Sequence, residues 1–141
     1  MRIFFDTSVF ISVFWGGHPG HAASLELLSQ ATPADSFCGI HTLAEVYANL
    51  TAMPIRPVIA PEQAALCIQT IRERCSPVVL TEAEYAATIE RTAVRGFKSG
   101  MIYAALLLSC AEKAQSEIIY TWDIKHFRMI GPQLADRIRT P

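Results

Sequence analysis

Ile3-Phe4-Phe5-Asp6-Thr7-Ser8 opens the chain with an apolar, β-branched and aromatic run that stops at a carboxylate, and Ile118-Ile119-Tyr120-Thr121-Trp122-Asp123 repeats that arrangement far downstream. Each run has the length and composition of a buried strand. Working inward from the first, Gly16-Gly17-His18-Pro19-Gly20 breaks the chain after a short helix. His21 to Gln30 has helical spacing, the Thr32-Pro33 turn leads to a strand at Ser36-Phe37-Cys38, and Ile40 to Leu50 is helical again. Met53-Pro54-Ile55-Arg56-Pro57 is a loop, because proline lacks the amide hydrogen a helix needs. Pro61 suits the first turn of a helix running to Arg74. Pro77 to Leu80 reads as a third strand. Thr81 and Glu84 form a capping box for a helix reaching Arg95.

After the loop Gly96 to Gly100, Met101 to Lys113 is apolar nearly all round, the mark of a central, buried helix. Ile118 to Thr121 makes the fourth strand, and Asp136 to Pro141 holds a last short edge strand. Short apolar strands alternating with helices specify an α/β class, a mostly parallel sheet flanked by helices in three α/β/α layers. In such sheets ligands bind beyond the carboxyl ends of the strands.

A chain of 141 residues, 51% of them hydrophobic, is expected to form one domain over residues 1–141 without disulfides or a structural metal. The net charge of -1 supplies no global attraction for a polyanion, so any nucleic-acid contact is local. Cys38, Cys67, Cys75 and Cys110 form no C-x-x-C pair and lie in apolar stretches, so they are read as reduced, buried and structural. The apolar run after Arg2 is interrupted by Asp6 and lacks a cleavage pattern, and Met101 to Cys110 is too short to span a bilayer. A soluble cytoplasmic protein is the expectation.

Asp6 and Asp123 each follow a strand. If those strands are parallel neighbours, both carboxylates face one crevice; equally, each is a good helix N-cap. Glu45 lies opposite the stripe Leu43, Val46, Tyr47 and Leu50, on a face shared with His41 and Asn49. Periodicity by itself favours a solvated face, and the same face could instead line a cleft. Clustered carboxylates suit Mg²⁺ or Mn²⁺, hard cations that activate water and stabilise a leaving oxygen in phosphodiester hydrolysis.

Four segments carry a family resemblance: Ile3-Phe4-Phe5-Asp6-Thr7-Ser8, Ala44-Glu45-Val46, Gly100-Met101-Ile102-Tyr103, and Thr121-Trp122-Asp123-Ile124-Lys125-His126-Phe127. In order and spacing they resemble the PIN domain, and within it the VapC-like toxins of toxin–antitoxin pairs. The resemblance implies a Mg²⁺- or Mn²⁺-dependent ribonuclease acting on RNA, a homodimer, and a cognate antitoxin. It places Asp6, Glu45 and Asp123 as catalytic and metal-binding acids. A fourth acid is expected after the tyrosine of the buried helix, where this chain has Ala104. Natural loss and a deliberate disarming Asp→Ala change are the two origins of such a gap, and the intact surrounding motifs point to the second. Either way the resemblance implies a chain short of one ligand and inactive. The alternative is a catalytically dead PIN domain that only binds RNA or protein.

Thr7, Ser8 and Thr121 stand beside the acids as hydrogen-bonding support, with Ser8 alternatively a helix cap. Arg95, Lys98 and Lys125, with Arg91 and Arg128, are candidates for RNA phosphates. His126 is accounted for by packing beside Phe127. A phosphatase of the haloacid dehalogenase type also starts with a strand ending in Asp, but it wants a second Asp where Ser8 stands.

Overall fold

A computed structural model describes all 141 residues, Met1–Pro141. The chain runs β1 (Ile3–Phe5), α1 (Thr7–Phe14), α2 (His21–Gln30), β2 (Ser36–Gly39), α3 (Ile40–Ala52), α4 (Pro61–Arg74) and β3 (Ser76–Val78). It continues α5 (Glu82–Val94), α6 (Met101–Lys113), β4 (Ile118–Tyr120), α7 (Ile124–Ile130), a 3-10 turn over Pro132–Arg137, and β5 (Ile138–Arg139). The five strands form one sheet in the order β3-β2-β1-β4-β5, and every neighbouring pair is parallel.

β1 is the central strand, paired with β2 through Ile3–Ser36 and Phe4–Phe37 and with β4 through Ile3–Ile118, Phe4–Ile119 and Phe5–Tyr120. Successive side chains of a strand point to opposite faces, so Phe4 and Phe5 start two separate cores. Phe4 packs with Leu107, Leu108 and Ala111 of α6 and with Phe127 and Ile130 of α7. Phe5 packs with Val9 and Phe10 of α1, Leu28 of α2, Val46 and Leu50 of α3, and Ile71 of α4. Helices on both faces make the three-layer α/β/α sandwich expected from the strand and helix pattern.

Several local readings change. The third strand is Ser76–Val78 instead of Pro77 to Leu80. Its partner β2 gives way to α3 after Gly39, which pairs with Val78, so Val79 has no strand to join and is exposed. On α3 the fully buried stripe is Thr42, Val46 and Leu50, and Tyr47 is exposed. Cys38, Cys75 and Cys110 are buried, whereas Cys67 is only half-buried, and all four are free thiols. α7 and the 3-10 turn were not foreseen. The capping box at α5 is present: Thr81 Oγ1 accepts the Glu84 amide at 3.2 Å and Glu84 Oε1 accepts the Thr81 amide at 2.8 Å. No helix is long and apolar enough to cross a membrane.

Candidate active site at the carboxyl edge of the sheet

Asp6 is the residue at which the central strand turns into α1, and it caps that helix. A carboxylate at this depth, 5% exposed, is costly unless donors surround it. They do: Asp6 Oδ2 accepts the Ser8 hydroxyl at 2.7 Å, the Thr121 hydroxyl at 2.7 Å and the Ser8 amide at 3.4 Å. Burial nevertheless outweighs these bonds and pushes the Asp6 carboxyl above its ordinary range. The helix cap is therefore Asp6, and Ser8, read as a possible cap, is a donor to it.

Two of those donors lie just beyond the carboxyl ends of neighbouring parallel strands. Thr121, fully buried after β4, gives its proton to Asp6 and accepts the Asp123 amide at 2.9 Å. Ser8 gives its proton to Asp6 and accepts the Trp122 amide at 3.0 Å. The β1–α1 and β4–α7 turns are thus stitched through one carboxylate. The Trp122 indole closes the seam, donating towards the buried hydroxyls of Ser12 at 3.0 Å and Ser24 at 3.2 Å. Its ring lies where a side chain on Gly20 would stand, with an added Cβ only 2.0 Å from a ring carbon.

Glu45 sits on α3, one turn beyond the buried Thr42. The side of α3 that periodicity favoured as solvated brings Glu45 and Asn49 into the cleft lining. Thr7 Oγ1 and Thr42 Oγ1 are 2.9 Å apart, and Thr7 donates to Glu45 Oε1 at 3.4 Å. Partial burial raises the Glu45 carboxyl above its ordinary value; His41, 3.8 Å away, opposes the rise and the nearby Asp6 adds to it.

Asp123 differs. It precedes α7 without capping it by its side chain, and its carboxylate, 47% exposed, meets His126 Nδ1 at 2.8 and 3.1 Å. Consecutive helical residues point about 100° apart, so buried Phe127 carries His126 outward to Asp123 and not into packing beside the phenyl ring.

Asp6, Glu45 and Asp123 line one cleft of about 390 Å³, together with Thr7, Ser8 and the α6 wall. That wall presents Ala104 and, one turn earlier, Gly100. Gly100 is the N-cap of α6 with no side-chain cap, and a Cβ added there meets nothing. Neither position brings a carboxylate. No lysine or arginine lines the cleft. Arg95 is held instead by the carbonyls of Met129, at 2.9 Å, and Ile130, and lies over the Phe97 ring. Lys98 and Lys125 are exposed outside the lining. Arg91 bonds the Thr88 hydroxyl, and Arg128 bonds the Ile138 carbonyl.

The donors are all oxygen, the chemistry a hard divalent cation selects. Burial raises two of the acids, Asp6 and Glu45, above their ordinary values. Yet no three acidic, histidine or cysteine side chains approach closely enough to form a ready ion cage. The residues fit such a cation in kind and fall short in number.

Residues 3–131 match the PIN domain family. The chain belongs to that family. Two solved structures share the fold. One is VapC20 of Mycobacterium tuberculosis, a sarcin-ricin loop cleaving toxin, at 20% identity and TM-score 0.68, covering 89% of this chain and 92% of that one. The other is VapBC2 of Rickettsia felis, bound to a DNA fragment from their promoter, at 18% identity and TM-score 0.68, covering 100% and 99%. No curated protein matches the sequence.

The four segments that carried the resemblance therefore do belong to a PIN domain, and three of them bring an acid to its cleft. Gly100, Tyr103, His18 and Asn49 also line it; Gly100 and Tyr103 stood only in a segment that carried the resemblance, Asn49 only on the face shared with Glu45, and none was assigned a role in the site. Helical spacing pointed towards two of these: Asn49 follows Glu45 by one turn, and Gly100 precedes Ala104 by one. Nothing local marks His18, which is carried in by a loop and packs 5.4 Å from the Trp122 ring.

Proposed function

We propose that this PIN domain is the scaffold of a Mg²⁺- or Mn²⁺-dependent endoribonuclease, the toxin of a toxin–antitoxin pair, with a cleft one carboxylate short of activity. The observation that carries this reading is the convergence of Asp6, Glu45 and Asp123, from three separate elements, on one cleft whose opposite wall is Ala104. Asp6 and Glu45 would hold the cation, with Asp123 joining from the rim. A bound divalent cation supplies charge neutralisation and a more acidic water at the phosphodiester. The chain's own part is to fix Asp6 through Ser8 and Thr121 and Glu45 through Thr7, so that their oxygens stay aimed into the cleft. A cognate antitoxin and a second copy of the chain complete the proposed assembly. The absence of any α6 carboxylate from the cleft lining favours a second reading, a catalytically dead PIN domain that binds RNA or protein.

Restoring an acid on the α6 wall separates the two. Ala104→Asp, and in parallel Gly100→Asp, is expected to give RNA cleavage that requires Mg²⁺ or Mn²⁺ and is abolished by adding Asp6→Ala. Titration calorimetry on the unaltered chain is expected to show weak Mg²⁺ binding or none. If neither restored protein cuts RNA with either metal, the nuclease reading fails and the binding module stands.

A further inference from the structure

We infer that Tyr103 is a stacking platform for an unpaired RNA base, so that the cleft takes single-stranded RNA by its bases instead of by its phosphates. This rests on the RNA reading above and specifies how the substrate is held. Tyr103 lines the carboxylate cleft and is 47% exposed, on a helix whose following residues Ala105 to Leu108 are all buried. Its ring lies flat on His41, with centroids 5.3 Å apart and planes 5° from parallel. His41 is in turn exposed and sits beside Glu45. The two rings form a ridge one residue away from Ala104, between the carboxylate cleft and a small apolar groove of about 110 Å³ that Ile40, Tyr85 and Leu106 help to line.

A nucleotide presents a charged phosphate and a flat π-face, and this region offers something to each on its two sides. Carboxylates with a divalent cation suit the phosphate, and an exposed pair of parallel rings suits the base. The usual alternative, neutralising phosphates with lysine and arginine, is missing from the cleft lining. In a duplex the base faces are already stacked on one another, so the ridge selects strands whose bases are free. A ring one residue from the wall where the fourth acid belongs keeps the stacked base next to the bond to be cut.

The test reads binding and not cleavage, using the unaltered chain with and without Mn²⁺. Fluorescence anisotropy follows a short labelled single-stranded oligoribonucleotide, the same strand as a duplex, and an abasic strand with the same number of phosphates. Tyr103→Ala and Tyr103→Leu are expected to weaken the single strand by about 5- to 100-fold, the usual effect of losing one base–aromatic stack. Tyr103→Phe is expected to bind like the unaltered chain, and the duplex and the abasic strand are expected to bind poorly. Tyr103 is exposed, and Tyr103→Leu, which keeps apolar bulk, together with thermal melts of each variant, separates a lost stack from misfolding. Unchanged affinity in Tyr103→Ala overturns the inference and leaves the ridge to a protein contact. Equal binding of the abasic strand or the duplex overturns it too, as does the absence of binding to any strand. Failure of the restored acids to cut RNA would instead count against the nuclease reading and leave this result standing.

Discussion

The β1–α1 junction and the β4–α7 junction begin alike, each a parallel strand running into a turn with an aspartate, and they end in different environments. Asp6 closes the central strand, with a helical layer on either side, and accepts three hydrogen bonds at 5% exposure. Asp123 lies two residues beyond the fully buried Thr121, at the rim, and faces outward to His126. The same residue type after the same element is thus a buried, raised carboxyl in one place and a solvent-exposed side chain in the other. What separates them is distance from the central strand and which neighbour supplies donors. Thr121 of the β4 turn serves Asp6, and nothing in the β1 turn serves Asp123 in return.

If the two turns are held as one unit, the largest effect should come from the seam between them. Trp122→Ala removes a ring seated over Gly20 and the indole N–H directed at two buried serines, and is expected to cost about 3 kcal/mol, read by urea unfolding. Trp122→Phe, which keeps the bulk and loses the N–H, should cost about 1 kcal/mol. A loss within about 0.5 kcal/mol for Trp122→Ala, the range typical of surface changes, would mean that the junctions are independent.

Matched substitutions at the two aspartates sharpen the contrast. Asp6 has a folded pKa above its unfolded value, so its contribution to stability is complete below the unfolded pKa and is lost as pH rises through the folded one. At neutral pH without metal, Asp6→Asn is therefore expected to raise Tm, and the gain should vanish in acid. Asp123→Asn, at the exposed junction, should change stability by no more than about 0.5 kcal/mol. Equal shifts in the two variants across the pH range would erase the distinction.

The smallest effect lies far from both junctions and serves as a reference for an exposed carboxylate. Lys113, 2.6 Å away, and the Thr81 capping box hold Glu84 down at about 2. A lowered folded pKa contributes stability above the unfolded value, 4.5, and that stability is lost as pH falls towards 2. The Tm difference between the native chain and Glu84→Gln should thus be present at pH 7 and close over that acid window, the opposite direction from Asp6.

Most of the fold was legible because its periodicities are local. The helices His21–Gln30, Pro61–Arg74 and Met101–Lys113 have the bounds their spacing and caps specify. The end of β3 was not, since it depends on where β2 stops, and α7 was not, since its apolar residues Phe127 and Ile130 make sense only against α6. In the cleft, Asp6 and Asp123 announced themselves by following strands, whereas Tyr47 and Glu45 show how a stripe count misleads when one side of a helix meets a cleft instead of water. His126 was misjudged for the same reason: its partner, Asp123, is fixed by the turn that Thr121 and Trp122 build.

The order of residues alone was enough for the α/β class, the sequence of strands and helices up to β4, and the family, because strand and helix periods and short motifs reside in neighbouring residues. Strand order, the depth of Asp6, the turning of Glu45 into the cleft and the Tyr103–His41 ridge depend on contacts between residues far apart in the chain. Their energies come from burial and from donors on other elements, and those exist only once the helices have closed over both faces of the sheet.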